Sequence, residues 1–142
     1  MPISKDHVGR TYPTTDPYHV SAAKITEFAT AIRDDSPAYQ GPDPVAPPTF
    51  AMVIAAHAWQ RLFDDSDLGL RLDHTIHTEQ SFTWRRPLHA GDEITATLTI
   101  TSVRVRGNTD MIGLDVVLRD DADEHVATTS STLWHTRGGQ DD

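Results

Sequence analysis

Thr49–Phe63, TFAMVIAAHAWQRLF, is the most apolar run in the chain and has the length of a helix. Met52, Val53, Ala55, Ala56, Trp59, Leu62 and Phe63 cover more than one helical face, and the polar interruptions His57, Gln60 and Arg61 come late. A helix apolar on nearly every side has to be buried by the rest of its fold. Ala46-Pro47-Pro48 precedes the run, and the two prolines stop a helix from extending backwards. Thr49 is the expected N-cap. The expectation is a sheet that wraps this helix, with the helix N-terminus facing the functional site.

The sheet is readable downstream. From Leu72 the apolar period becomes two, with Ile76, Gln80, Phe82 and Trp84 on one face and Thr75, His77, Glu79, Ser81 and Thr83 on the other. Pro87–Asp92 reads as a turn. Glu93–Arg106 sets Ile94, Ala96, Leu98 and Ile100 against Thr95, Thr97, Thr99 and Thr101. The phase then slips to Val103 and Val105, which predicts a β-bulge near Ser102. Gly107-Asn108 signals a hairpin. Ile112, Leu114, Val116 and Leu118 mark the next strand, Asp120–Glu124 an acidic turn, and Val126–Trp134 the last strand. Upstream, Ser21 caps a helix to about Arg33, whose Ile25, Phe28, Ala29 and Ile32 follow helical spacing. Residues 1–20 read as an irregular lead-in with one short strand at Tyr18–Val20. Residues 38–48 are a loop rich in Pro and Gly.

These patterns predict an α+β fold: a single domain over residues 1–136, with consecutive hairpins forming a meander that curls around the long helix. That is the hot-dog arrangement, a curved antiparallel sheet around one central helix. Residues 137–142 are expected to be a disordered tail. Hot-dog domains expose an edge strand and commonly pair in twos, which makes a dimer the expectation by analogy of fold.

Composition narrows the function. The chain has 142 residues and no cysteine, so it has no disulfide or thiolate chemistry. No apolar run reaches the length of a membrane span, and MPISKDHVGRTY has no apolar leader core. The expected setting is cytoplasmic, with no membrane partner. Twelve Lys+Arg against 21 Asp+Glu give a formal charge of −9, which argues against nucleic acid as a partner. Ten of the twelve cations are Arg. Arg104 with Arg106, and Arg85 with Arg86, are two pairs on strands, read either as phosphate holders or as solvated strand faces. The histidines form no ligand cluster, so no metal and no cofactor is expected.

The run Arg33-Asp34-Asp35-Ser36-Pro37-Ala38-Tyr39 resembles the hydratase motif G-D-x-N-P-(apolar)-H of the MaoC-like family of (R)-specific enoyl hydratases and (3R)-hydroxyacyl dehydratases. By position, Asp34 matches the catalytic Asp and Tyr39 stands where the catalytic His belongs. Tyrosine titrates near 10, so it is a poor base at neutral pH. Active members of the family open the central helix with His-Gly, whose backbone N–H polarises the thioester carbonyl. Here Pro48 takes the Gly position and has no N–H, leaving the Thr49 amide. Val8-Gly9-Arg10-Thr11-Tyr12, Ala46–Phe50, His77–Phe82, Arg86-Pro87 and Ala90-Gly91-Asp92 extend the likeness to the FAS1-like dehydratase (MaoC N-terminal) branch of that family over nearly the whole chain. The loop between Tyr39 and Val45 looks several residues shorter than usual for it.

The resemblance implies a chain that binds acyl-ACP or acyl-CoA. It implies the non-catalytic subunit of a heterodimeric (3R)-hydroxyacyl-ACP dehydratase of fatty-acid or mycolic-acid elongation, whose partner is a MaoC-like hot-dog chain carrying the Asp and His. Its candidate site residues are Asp34 and Tyr39 at degenerate catalytic positions, and Pro48, Thr49, Phe50 and Gln80 for substrate. Asp34–Pro37 reads equally as ordinary turn chemistry at a helix end, and Gln80 as a structurally satisfied amide. His77 and Glu79 read as dimer contact or solvated. Three other functions stay open: a homodimeric (R)-specific enoyl-CoA hydratase using Asp34, a non-enzymatic acyl-thioester-binding protein, and a thioesterase. The last is disfavoured because Thr49–Phe63 holds no carboxylate.

Overall fold

The computed structural model describes residues 2–138. In chain order its elements are β1 (Tyr18–His19), α1 (Ala22–Ala31), α2 (Ala51–Asp64), β2 (Thr75–Trp84), β3 (Glu93–Arg106), β4 (Thr109–Arg119) and β5 (His125–Thr136). The five strands form one antiparallel sheet in the order β1-β3-β4-β5-β2.

Its inner face is the alternation read above. Ile94, Ala96, Leu98 and Ile100 of β3, Ile112, Leu114, Val116 and Leu118 of β4, and Ala127 and Leu133 of β5 are buried against Ile54, Ala55, Ala58 and Leu62 of α2. The expected bulge is present between Ile100 and Ser102. Gly107 supplies the positive φ (59°) of the β3–β4 hairpin.

The expected meander is corrected at one step. β2 pairs with β5, not with β3. The connection 85–92 cannot close a hairpin because its backbone groups are bound elsewhere. The Leu88 carbonyl accepts from Ala46 N–H (2.8 Å), Ala90 N–H donates to the Pro44 carbonyl, and Gly91 N–H donates to the Val20 carbonyl (2.7 Å). The buried Leu88 pins this segment beneath the start of α2. The lead-in is not loose either. Gly9, Tyr12 and Thr15 donate backbone bonds to Ile100, Leu98 and Ala96, so residues 9–19 cover the outer side of β3. Among the described residues, β2 is the uncovered edge of the sheet.

Four further expectations are corrected. The helix starts with a 3-10 turn over Pro48–Phe50 flanked by Pro47, and Thr49 caps nothing through its side chain. Two consecutive prolines fix the backbone here before any cap can act. α2 is not buried all round, since Ala56, His57, Gln60 and Asp64 form an exposed stripe. Ile32 lies beyond the last turn of α1 and is 46% exposed, although Ser21 does cap that helix by accepting from Lys24 N–H. β2 ends at Trp84, so Arg85 and Arg86 lie past the strand.

The chain ends are clasped together. Buried Asp110 of β4 accepts from Arg137 (2.7 Å) and from His135 Nδ1 (3.0 Å), and Arg137 also donates to the Ile3 carbonyl. Arg71 N–H donates to His135 Nε2 (3.2 Å), which puts the ring proton on Nδ1. Of the tail expected from residue 137, Arg137 is therefore bonded, and residues 139–142 lie outside the described residues. Among the described residues no helix is long and apolar enough to cross a membrane.

Candidate functional site

The motif run begins where α1 ends. Arg33 adopts φ 59° and closes a Schellman turn: its N–H bonds the Thr30 carbonyl, and Asp34 N–H bonds the Ala29 carbonyl (2.9 Å). This left-handed position accounts for the glycine that the family pattern carries there. The next residues form an Asx turn, with Asp34 Oδ1 accepting from Ser36 N–H (3.1 Å). Asp34 is thus held by its own turn, exposed, on the wall of a hollow of about 300 Å3 with Thr26, Thr30 and Gln40. Tyr39 does not line that hollow. It ends a short 3-10 turn, packs half-buried against the core, and accepts the Thr26 hydroxyl on its backbone carbonyl (3.4 Å).

The start of α2 forms a second hollow, of about 310 Å3, between Ala46 and Pro48 on one side and Trp84–Pro87 on the other. Pro48 and Thr49 are exposed here. Since Pro47 and Pro48 have no N–H, the first amide this end can present is that of Thr49. Phe50 turns the other way. It is buried, edge-on to Phe28 (5.3 Å) and Tyr18 (6.2 Å), as a core residue that seats α2 on α1 and β1.

Arg86 is a clamp. It donates to Asp92 (2.8 Å) and Asp120 (3.3 Å), and the Asp92 hydrogen bond holds its pKa above the usual guanidinium value against the opposing effect of burial. Arg85 is exposed and lines the hollow, and forms no ion pair among the described residues. The Trp84 indole N–H is buried with no hydrogen-bond partner.

Gln80 lies on β2 facing β5. Its Oε1 accepts from the Ser131 hydroxyl (2.6 Å) and contacts His77 Nε2 (2.9 Å), and its Nε2 donates to the Ser81 carbonyl. His77 in turn meets Trp59 of α2 edge-on at 5.0 Å. In the single chain, then, Asp34, Pro48 and Gln80 border three different hollows. No group of three or more His, Cys, Asp or Glu among the described residues is placed to hold a metal.

The sequence puts Trp59 and Trp84 on apolar faces but gives no sign that their indole N–H groups, or the Thr129 hydroxyl, lack partners. The two indole N–H groups and the Thr129 hydroxyl are all buried without partners on the side of the core toward β2. The visible signal was Trp84 in phase with Phe82 at the end of a strand, but a strand pattern cannot tell whether an indole N–H finds an acceptor.

A family model described as the FAS1-like dehydratase domain region matches residues 6–129. A UPF0336 protein of Cutibacterium acnes is 66% identical over 137 residues, covering 96% of each chain. Another, from Streptomyces avermitilis, is 38% identical and covers 94% of this chain and 95% of its own. A solved MaoC-like dehydratase superposes with a TM-score of 0.84 at 29% identity, over 94% of this chain and 43% of that one, so this chain spans less than half of its length. The C-terminally truncated HadBC (3R-hydroxyacyl-ACP dehydratase) complex of Mycobacterium tuberculosis gives 0.81 at 27% identity, over 93% and 99%. The curled sheet and its helix are the hot-dog fold of these structures.

Proposed function

The chain belongs to the FAS1-like dehydratase region family, with the hot-dog dehydratase fold, and from that premise we propose that it is the acyl-thioester-binding, non-catalytic subunit of a (3R)-hydroxyacyl-ACP or -CoA dehydratase. The observation that carries the reading is the state of the motif. The family's Asp is present as Asp34, but its carboxylate is engaged by its own turn, and the His position holds Tyr39, half-buried and off the Asp34 hollow.

Dehydration of a 3-hydroxyacyl thioester needs a base to take the α-proton, an acid to protonate the leaving hydroxyl, and a donor to the thioester carbonyl. Asp34 alone supplies one carboxylate. Pro48 removes one backbone donor, and the Thr49 amide remains. The working acid–base pair therefore comes from a second hot-dog chain of MaoC-like type. This chain contributes the hollow at Pro48 and Trp84–Pro87, where Arg85 suits the phosphate of a pantetheine arm. The open edge of β2 is the surface on which the partner sheet would continue. The working place is the cytoplasm, in fatty-acid or related acyl-chain synthesis.

The test is hydration of crotonyl-CoA and longer enoyl-CoA by this chain alone, by a MaoC-like partner alone, and by both together. The expected result is little activity alone and activity with the partner that is insensitive to Asp34→Asn in this chain. Strong activity of this chain alone, abolished by Asp34→Asn, would instead make it a self-sufficient homodimeric hydratase.

A further inference from the structure

A fourth hollow lies on the side of α2 away from β2. Trp59 faces β2 through His77, whereas His57 faces β1 through Tyr18 (5.6 Å), and β1 and β2 are opposite ends of the sheet. The hollow is about 370 Å3 and is walled by residues 15–18 and by His57, Gln60, Arg61 and Asp64 of α2. The strap that forms its outer wall is pinned. Thr15 N–H donates to the Ala96 carbonyl (2.9 Å), the Thr15 hydroxyl accepts from Ala96 N–H (3.0 Å), and the hydroxyls of Thr14 and Thr97 are bonded (2.7 Å). The cavity is therefore preformed, and a ligand would not have to order it.

Its chemistry is incomplete. Arg61 is half-buried in a chain of charge −9, yet it forms no ion pair among the described residues. Its guanidinium makes one long bond, from Nη2 to the Thr14 carbonyl (3.4 Å), and its Nε–H is buried with no acceptor. The Tyr18 hydroxyl is also buried with no partner, and burial raises its pKa, so it stays a neutral phenol able to donate. Buried donors without acceptors are rare because each forfeits its hydration. Here two of them line one cavity, and one belongs to a cation.

The acids limit what fits. Asp64 already accepts from Gln60 (3.0 Å), and Asp16 stands on the strap. A doubly charged phosphate would meet two carboxylates, whereas a single carboxylate neutralises Arg61 alone. We propose that this hollow is a binding site for a small organic monocarboxylate, with its oxygens on the Arg61 guanidinium and the Tyr18 hydroxyl and its carbon body along His57. This does not depend on the dehydratase reading, and it gives the chain a ligand on the face remote from the open sheet edge.

The full chain, isotope-labelled, is titrated with sodium butyrate at constant ionic strength, following the ring resonances of His57 and Tyr18. Sodium phosphate and butylammonium chloride are the comparison probes. The expected result is a saturable shift with butyrate and none with butylammonium. Arg61→Met, which keeps the apolar stem, should weaken binding at least about tenfold, and Tyr18→Phe, which keeps the ring contact, should weaken it less. Circular dichroism verifies folding of each variant. If Arg61→Met does not fold, Arg61→Lys takes its place, and loss of the fork should still weaken binding. No saturable shift in the folded wild type, affinity unchanged in the Arg61 variant, or phosphate binding as tightly as butyrate would each overturn the proposal.

Discussion

Arg33 stands where the family pattern has glycine and where the local geometry still suits one. Its φ of 59° suits glycine, and an L-residue pays roughly 1–2 kcal/mol there, partly offset because glycine has more freedom to lose on folding. Arg33→Gly should therefore stabilise the fold by about 0.5–1 kcal/mol, while Arg33→Ala gives no gain. Urea denaturation measures both. A glycine variant less stable than the alanine variant would mean that the Arg33 side chain has a role in the Asp34 hollow. Asp65 shows the opposite kind of residue, one whose environment favours it. Arg10 (2.7 Å) and Tyr12 (2.6 Å) both donate to it at the C-terminal end of α2. Burial would raise its pKa, but the hydrogen bonds from Tyr12 and Arg10 outweigh this and hold it below the usual carboxylate value. The folded chain thus binds fewer protons than the unfolded one as the pH falls through the ordinary Asp range, near 4. The stabilisation is fully present above that range and is lost as the pH drops through the lower, folded value. Asp65→Asn should lower stability at pH 7 and flatten its dependence on pH below about 5. A variant whose acid limb matches the wild type would rule this cluster out. Arg10 and Tyr12 thereby fasten the N-terminal segment to the end of α2, and neither lines the candidate hollows at Asp34 or Pro48.

At the scale of the element, β3, β4 and β5 were legible because each buries one face, and period-two alternation reports that directly. The bulge at Ser102 was legible for the same reason, as a slip in phase. Which strands pair was not. Alternation fixes a strand's faces, but the partner of β2 depends on whether residues 85–92 can turn back, and that depends on acceptors contributed by Pro44 and Val20, far away in sequence. The exposed stripe of α2 was hidden because alanine at 56 reads as core. β2 also mixes signals, since a bulge between His77 and Glu79 shifts its faces and leaves Ile76 66% exposed. An open edge strand with an exposed isoleucine is a template for another chain. On the proposed reading this edge receives the partner subunit, so Ile76→Lys or Thr78→Pro should abolish the complex with a MaoC-like partner in gel filtration. The melting temperature of the isolated chain should change little. A complex that survives both changes would move the partner to another surface.

Across the whole molecule, the division between scaffold and site follows what sequence can encode locally. The motif at Asp34 could be found in the sequence because it is a turn, closed by residues within a few positions of one another. The hollow at Pro48 was half legible: the prolines announced a helix start without a donor, but its other wall comes from Trp84–Pro87, which only the folded chain brings near. The clasp of the chain ends was not legible at all, because it joins Ile3, Arg71, Asp110, His135 and Arg137. Asp110 is 1% exposed and serves two donors at once, so replacing it leaves both without a charged acceptor. Removing one member of a buried pair costs about 3–5 kcal/mol, and the lower end applies here because Arg137 is partly solvated. Asp110→Asn should thus destabilise the chain by about 3 kcal/mol, lowering the melting temperature by roughly 10 °C. Arg137→Met should act in the same direction. The double variant should lose less than the sum of the two, because the second change removes a cation that the first has already stranded. Full additivity in that cycle would mean that Asp110 and Arg137 are not coupled, and that each holds the chain ends through its other partner, Asp110 through His135 and Arg137 through the Ile3 carbonyl.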